Sequence, residues 1–181
     1  LKAAKDPFTG SLTLGAFPTL APYIFPLLIP AIRAQLPQLE LILVEEKTEQ
    51  LIQQLQKGVL DAALIALPVE VPQLEVQEIF WEEFLLAVPR SHPLAEYKEV
   101  QLGALADQQM LLLDDGHCLR DQSLALCSRI GNGESNRYRA TSLETLRNMI
   151  AAGNGMTFMP RLAVQPMNDS VAYIPFRAPA P

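Results

Sequence analysis

Two cysteines nine positions apart, Cys118 and Cys127, are the residues of this chain best suited to do chemistry. Cys118 lies in Asp114-Asp115-Gly116-His117-Cys118-Leu119-Arg120-Asp121-Gln122, between a predicted strand and a predicted helix, where ligand sites of open α/β sheets gather. At a helix start its sulfur feels the partial positive charge of the first amides, and His117 and Arg120 are close in sequence. All three favour the thiolate. Asp114, Asp115 and Asp121 work against them, and spacing alone does not say which charges face the sulfur. A thiolate that attacks peroxide becomes a sulfenic acid, which a second thiol can capture as a disulfide.

The spacing adds a mechanical condition. Nine helical steps put the two cysteines about 13.5 Å apart along the axis and roughly half a turn out of phase. A disulfide needs Cα atoms within about 7 Å, so a bond between them requires residues 119–126 to leave helical geometry. Two other readings stand beside this one. Both cysteines can be small core residues, and Cys127, between Leu126 and Ser128, reads that way. Metal binding ranks last, because His92 and His117 are the only histidines and neither forms a zinc spacing with Cys118 and Cys127. His117 itself either packs or caps, or tunes Cys118.

The elements that must position these residues are legible as alternating strands and helices. Strands are expected over 11–17, 39–44 and 62–67, with helices over 21–36 and 48–57 between them. The first helix is expected despite Pro26 and Pro30, each of which removes a backbone donor. Thr48 is expected to cap the second, with Gly58 beyond its end. This β-α-β-α-β order favours a parallel sheet. The apolar, aromatic-rich segment 74–88 predicts a long strand, or two, crossing between lobes near Glu82. A second set follows: strand 109–113, helix 117–130, strand 137–140, helix 142–152 and strand 156–159. Thr141 and Glu144 stand at capping-box spacing, and Gly153 and Gly155 end that helix and admit close backbone approach. The fold class predicted is α/β, with two Rossmann-like lobes. Residues 1–10 read as the end of a linker, 11–81 as the first lobe and 82–181 as the second.

Composition narrows the functional classes. The chain has 181 residues, 49% of them hydrophobic, enough for one substantial core or two smaller ones. A net charge of −6 argues against gripping nucleic acid directly. Prolines 18, 22, 26 and 30 and Arg33 break the most apolar stretch, so no membrane span is expected. Two cysteines without a secretory signal suit a transient bond in a reducing cytosol better than a disulfide framework. The chain opens on Leu1 rather than Met and is expected to be a fragment.

Gly116-His117-Cys118-Leu119-Arg120-Asp121-Gln122, then Cys127, then the run from Arg139 to Gly155, resemble the regulatory domain of LysR-type transcription regulators, specifically their hydrogen-peroxide-sensing members. The resemblance extends through Gly15-Ala16-Phe17-Pro18-Thr19, Pro22-Tyr23 and residues 61–67, and so covers nearly the whole chain. It implies a fold like type 2 periplasmic binding proteins, and a regulator rather than an enzyme, without cofactor or metal. It implies that Cys118 is the peroxide-reactive cysteine and Cys127 the resolving one, that Thr19, Thr48 and His117 help hold peroxide, and that Arg120 and Asp121 form a supporting shell. A homodimer is implied, using the helix with Ile29 and the one ending at Ala152, with a tetramer in the full-length protein. DNA contact through a missing N-terminal domain, RNA polymerase as a further partner and a cytoplasmic location are also implied. The family's distal segment, which carries an arginine near the peroxide site, lies beyond Pro181. Two rival functions use the same residues differently: a thiol peroxidase, which needs turnover, and a LysR-type domain that binds an organic effector while its cysteines are incidental.

Overall fold

The computed structural model of the chain describes residues 9–69, 71–131, 139–165, 169–178 and 180–181. The chain divides into two units, Leu1–Glu78 and Ile79–Pro181. Most of the expected linker tail, and residues 137 and 138 of an expected strand, lie outside the described residues.

The first unit alternates β1 (Gly10–Ala16), α1 (Ala21–Gln35), β2 (Leu39–Glu45), α2 (Thr48–Gln56) and β3 (Ala62–Leu64). Its sheet is parallel, in the order β2-β1-β3. Gly15, in the central strand, has a packing reason: a Cβ there would lie 2.6 Å from a methyl of Leu51 and 2.9 Å from one of Leu60. The α2 side of the unit therefore rests directly on the β1 backbone. Helix α1 runs through Pro26 and Pro30 as expected. Pro22, Pro26 and Pro30 recur every fourth residue, and all three are exposed. The carbonyls left without an intrahelical donor thus lie on the solvent side, where water can satisfy them. The third strand is shorter than predicted, ending at Leu64.

The second unit contains β4 (Phe84–Pro89), β5 (Leu112–Leu113), α3 (Cys118–Arg129), β6 (Arg139–Ala140), α4 (Leu143–Ala151), β7 (Thr157–Pro160) and β8 (Val171–Pro175). Strands β7, β4 and β8 form an antiparallel sheet in that order, and β5 pairs with β6 in parallel. A bridge between Met110 and Met156 connects the two sets, with the Leu111 amide donating to the Met156 carbonyl at 2.7 Å. The core gathers Leu86, Val88, Leu105, Met110, Phe158 and Ile174, and the Phe158 and Phe176 rings stack at 5.8 Å.

Three expectations need correction, and one strand was unforeseen. The predicted crossing strand over 74–88 is a strand only from Phe84, because Ile79, Phe80 and Trp81 are exposed rather than paired into a buried sheet. Strand β8 was not expected at all. Thr48 is not the cap of α2: Lys47, with extended backbone (φ −62°, ψ 152°), occupies that position and Thr48 is the first helical residue. The capping box of Thr141 and Glu144 is displaced by one residue. Ser142 is the extended cap residue and accepts from the Thr145 amide at 3.2 Å, while Glu144 pairs with Arg147. Gly153 and Gly155 have φ of 83° and 130° after α4, and a Cβ on Gly155 would meet the Gln109 carbonyl at 2.7 Å.

Candidate functional site

Past β5 the chain turns through Asp114, Asp115 and Gly116, whose φ of 84° lies in the left-handed region that favours glycine. His117 follows with extended backbone (φ −93°, ψ 122°) and is the N-cap residue of α3. Cys118 is therefore the first residue of the helix, at the positive end of its dipole. Asp121 in the first turn and Arg129 in the last complement that dipole. The His117 side chain makes no capping bond and is instead buried.

The same helix separates the two cysteines. Cys118 is partly exposed, whereas Cys127 is 1% exposed and packs in the core with Leu86, Met110, Leu126 and Phe158. Neither is in a disulfide. Because α3 is continuous from Cys118 to Arg129, the two stand about 13.5 Å apart along its axis. Burial pushes the Cys127 thiol above its ordinary pKa, since a thiolate there would lose its hydration. It is held as a neutral, poorly nucleophilic thiol.

Arg120 is not simply a cation offered to the sulfur. It is buried, its Nε donates to Asp115 Oδ1 at 2.9 Å, and its Nη1 reaches the Leu113 carbonyl at 3.5 Å. The other oxygen of Asp115 accepts from Arg139 Nη1 at 3.4 Å. Sequence reasoning noticed Asp115 only as an opposing charge and passed over Arg139; the five-residue offset from Asp115 to Arg120 across a Gly turn was the available signal. Asp121 is exposed.

In the first unit, Thr19 and Thr48 occupy equivalent positions. Ala16 and Glu45 are paired at the ends of β1 and β2, and each threonine lies three residues beyond its strand end. Both therefore sit at the carboxyl edge of a parallel sheet, beside the start of a helix. Thr19 is buried, and Thr48 Oγ1 is buried with no hydrogen-bond partner among the described residues. Thr19 and Thr48 thus come together on one sheet edge, and His117, Cys118, Arg120, Asp121 and Cys127 on one segment of the second unit. Of the expected contact residues, Ile29 is half-buried on α1 beside exposed Leu27, and Ala152 is exposed just after α4. Among the described residues no three of His, Cys, Asp and Glu cluster as a metal site requires. No helix among them is long and apolar enough to cross a membrane.

The LysR substrate binding domain family matches residues 5–181. The "Hydrogen peroxide-inducible genes activator" of Haemophilus influenzae is 46% identical over 175 residues, covering 96% of this chain and 58% of that protein. The chain thus spans somewhat over half the length of such relatives. The crystal structure of the oxidised form of OxyR is similar with a TM-score of 0.85 at 44% identity, covering 96% of this chain and 82% of that one. The reduced form gives 0.83 at 42% identity, with the same coverage of both chains. The α/β fold is that of these two-lobed regulatory domains, as expected. The chain belongs to the LysR substrate binding domain family and, within it, to the OxyR group.

Proposed function

We propose that this chain is the peroxide-sensing regulatory domain of a LysR-type transcription regulator, in which Cys118 is oxidised and then joined to Cys127. The Cys118 thiolate attacks one oxygen of hydrogen peroxide; the O–O bond breaks, the sulfur becomes a sulfenic acid and hydroxide leaves. The Cys127 sulfur then attacks that of Cys118, forming the S–S bond as the hydroxyl leaves with a proton as water. The observation that carries the reading is the contrast along α3: an accessible cysteine at the helix start and a buried one nine residues on. Burial and distance keep Cys127 out of reach until the helix opens, so the second step is also the conformational signal.

Thr19 and Thr48 are proposed to hydrogen-bond the peroxide, supported by the buried, unpartnered Thr48 hydroxyl. His117 is proposed to help bind it, with Arg120 and Asp121 as supporting residues. The lobe boundary is proposed at residues 81 and 82. For the whole regulator we propose a homodimer built on the α1 face with Ile29 and the α4 end with Ala152, assembling into a tetramer. It contacts DNA through a domain outside this chain, with RNA polymerase as a further partner, in the cytoplasm. The names of the relatives support the regulatory reading over a turnover enzyme.

The test is non-reducing peptide mass spectrometry after a brief stoichiometric peroxide pulse, with Cys118→Ser and Cys127→Ser as controls. A Cys118–Cys127 linkage reversed by thiol reductant is expected in the unsubstituted chain alone. Both thiols unmodified in a folded sample would overturn the proposal, and repeated consumption of peroxide at the expense of a thiol reductant would favour the peroxidase.

A further inference from the structure

We infer that Asp115 is a positioning residue for the switch: its carboxylate bridges Arg120 and Arg139 and so weights α3 toward the helical, dithiol state. The inference rests on the proposed function and adds an element to it. One oxygen of Asp115 takes Arg120 Nε at 2.9 Å and the other takes Arg139 Nη1 at 3.4 Å. A single side chain thus ties the first turn of α3 to strand β6, and the Arg120 contact with the Leu113 carbonyl adds β5. Arg120 lies inside the segment 119–126 that must leave helical geometry before the cysteines can meet. Its side chain is 7% exposed, against 73% for Asp115 and 42% for Arg139. The carboxylate is therefore available to solvent in either state, whereas the buried guanidinium has this carboxylate among its partners. Opening the helix separates the pair, and every contribution of the pair to the dithiol state opposes the disulfide.

The direction follows from the thiol exchange: the two thiols and one glutathione disulfide give the intramolecular disulfide and two glutathiones, two electrons and two protons passing to glutathione. Weakening the clamp raises the equilibrium constant of this exchange. Asp115→Asn keeps the shape and one acceptor but removes the charge. It is expected to raise the constant by about tenfold, which places the Cys118/Cys127 potential about 30 mV more negative. Arg139→Gln, which removes the longer and more exposed arm, is expected to move it two- to threefold in the same direction, on the order of 10–15 mV. Salt supplies an independent readout. Screening weakens a partly exposed ion pair, so raising the salt should move the unsubstituted chain toward Asp115→Asn and move it more than it moves that variant.

The experiment is redox titration of the 181-residue chain in glutathione buffers at two salt concentrations, with thermal melts of each dithiol form. A constant unchanged in both variants, with only a lowered melting temperature, would make Asp115 structural and overturn the inference. Should Asp115→Asn fail to fold, Arg139→Gln and the salt response decide, and the absence of both shifts overturns it. If the unsubstituted chain forms no Cys118–Cys127 disulfide, the proposed function fails and the clamp with it; if it forms one that neither variant nor salt moves, the clamp alone fails.

Discussion

If the disulfide requires α3 to open, then anything that penalises the helix should favour the disulfide, and Ala125 offers a clean place to test this. Ala125 is exposed in the middle of α3, so a proline ring there meets solvent rather than core. Ala125→Pro removes the amide that α-helix geometry directs to the Asp121 carbonyl and forces the ring against that oxygen, a penalty of about 3 kcal/mol on the helical state. The disulfide state, with 119–126 out of helical geometry, escapes most of it. Such a difference is roughly a hundredfold in the equilibrium, and for a two-electron couple it moves the potential by about 60 mV to more negative values. Ala125→Gly costs about 1 kcal/mol and should move it about 20 mV, giving a graded series. The assay is equilibration in thiol–disulfide buffers, rapid alkylation and quantification of the linked peptide, beside urea denaturation of the dithiol form. If Ala125→Pro loses the full stability while its potential stays within about 10 mV of the parent, the bridge forms without opening the helix and the geometric argument is wrong.

Two further predictions concern the frame of the second unit. Arg147 is buried and donates to the Tyr173 hydroxyl at 3.1 Å and to the Ala163 carbonyl. Arg147→Met should therefore lose about 1–3 kcal/mol by leaving those acceptors dry, while Glu144→Gln, which changes only the half-exposed ion-pair partner, should lose less than about 1 kcal/mol. Urea denaturation showing equal losses would mean that the ion pair, not the buried hydrogen bonds, holds the site. Glu82 accepts from the Leu162 amide at 2.7 Å, yet burial raises its pKa above 4.5 despite that bond. Its stabilising term is thus complete below the unfolded pKa and lost as pH rises through the folded one. Glu82→Gln, which keeps the acceptor, should be at least as stable as the parent at pH 7, and the difference should vanish on acidification below about 4.5. Melts in which the variant is less stable than the parent at pH 7, or gains on the parent as the pH falls, would contradict the assignment.

The alternation of elements was readable because the local signals agreed with the fold. In α1, prolines at four-residue spacing all fell on the exposed face, so the apolar positions Ile24 and Phe25 still marked the buried side. Short strands were less visible. The run of residues 171–175 follows the turn-forming Asp169 and Ser170 but is short and pairs with β4 across a large sequence separation, so its strand character depends on a partner that local pattern does not reveal. The opposite failure occurred over 74–83, where apolar and aromatic residues suggested a strand but Ile79 and Trp81 stand exposed. Hydrophobicity there reports composition and not pairing. Both capping errors have one cause: threonine at a suitable spacing is only a candidate, and the residue whose backbone stays extended, Lys47 or Ser142, is fixed by how the preceding strand enters the helix.

For the candidate site, sequence proposed the residues and the structure adds their local surroundings. Spacing already said that an intact helix keeps Cys118 and Cys127 apart, and Cys127 between Leu126 and Ser128 already read as a core residue; the structure adds which residues it packs against. Sequence could not say that Arg120 is committed to Asp115, so that the charge expected to activate the sulfur is already shared with a carboxylate. Arg147 shows what can be extracted from sequence with more care. On α4 the buried residues Leu143, Leu146, Arg147 and Ile150 follow the i, i+3, i+4, i+7 stripe, and an arginine in that register must bring its partners into the core. The same logic applies to Arg120, which shares the buried face of α3 with Leu119, Ser123, Leu126 and Cys127. If α3 opens as proposed, releasing Cys127 disturbs the packing around it and moving Arg120 breaks its bond to Asp115. The energetic threshold for the proposed switch therefore lies in the whole helix face, and its reactivity in the single residue at the helix start.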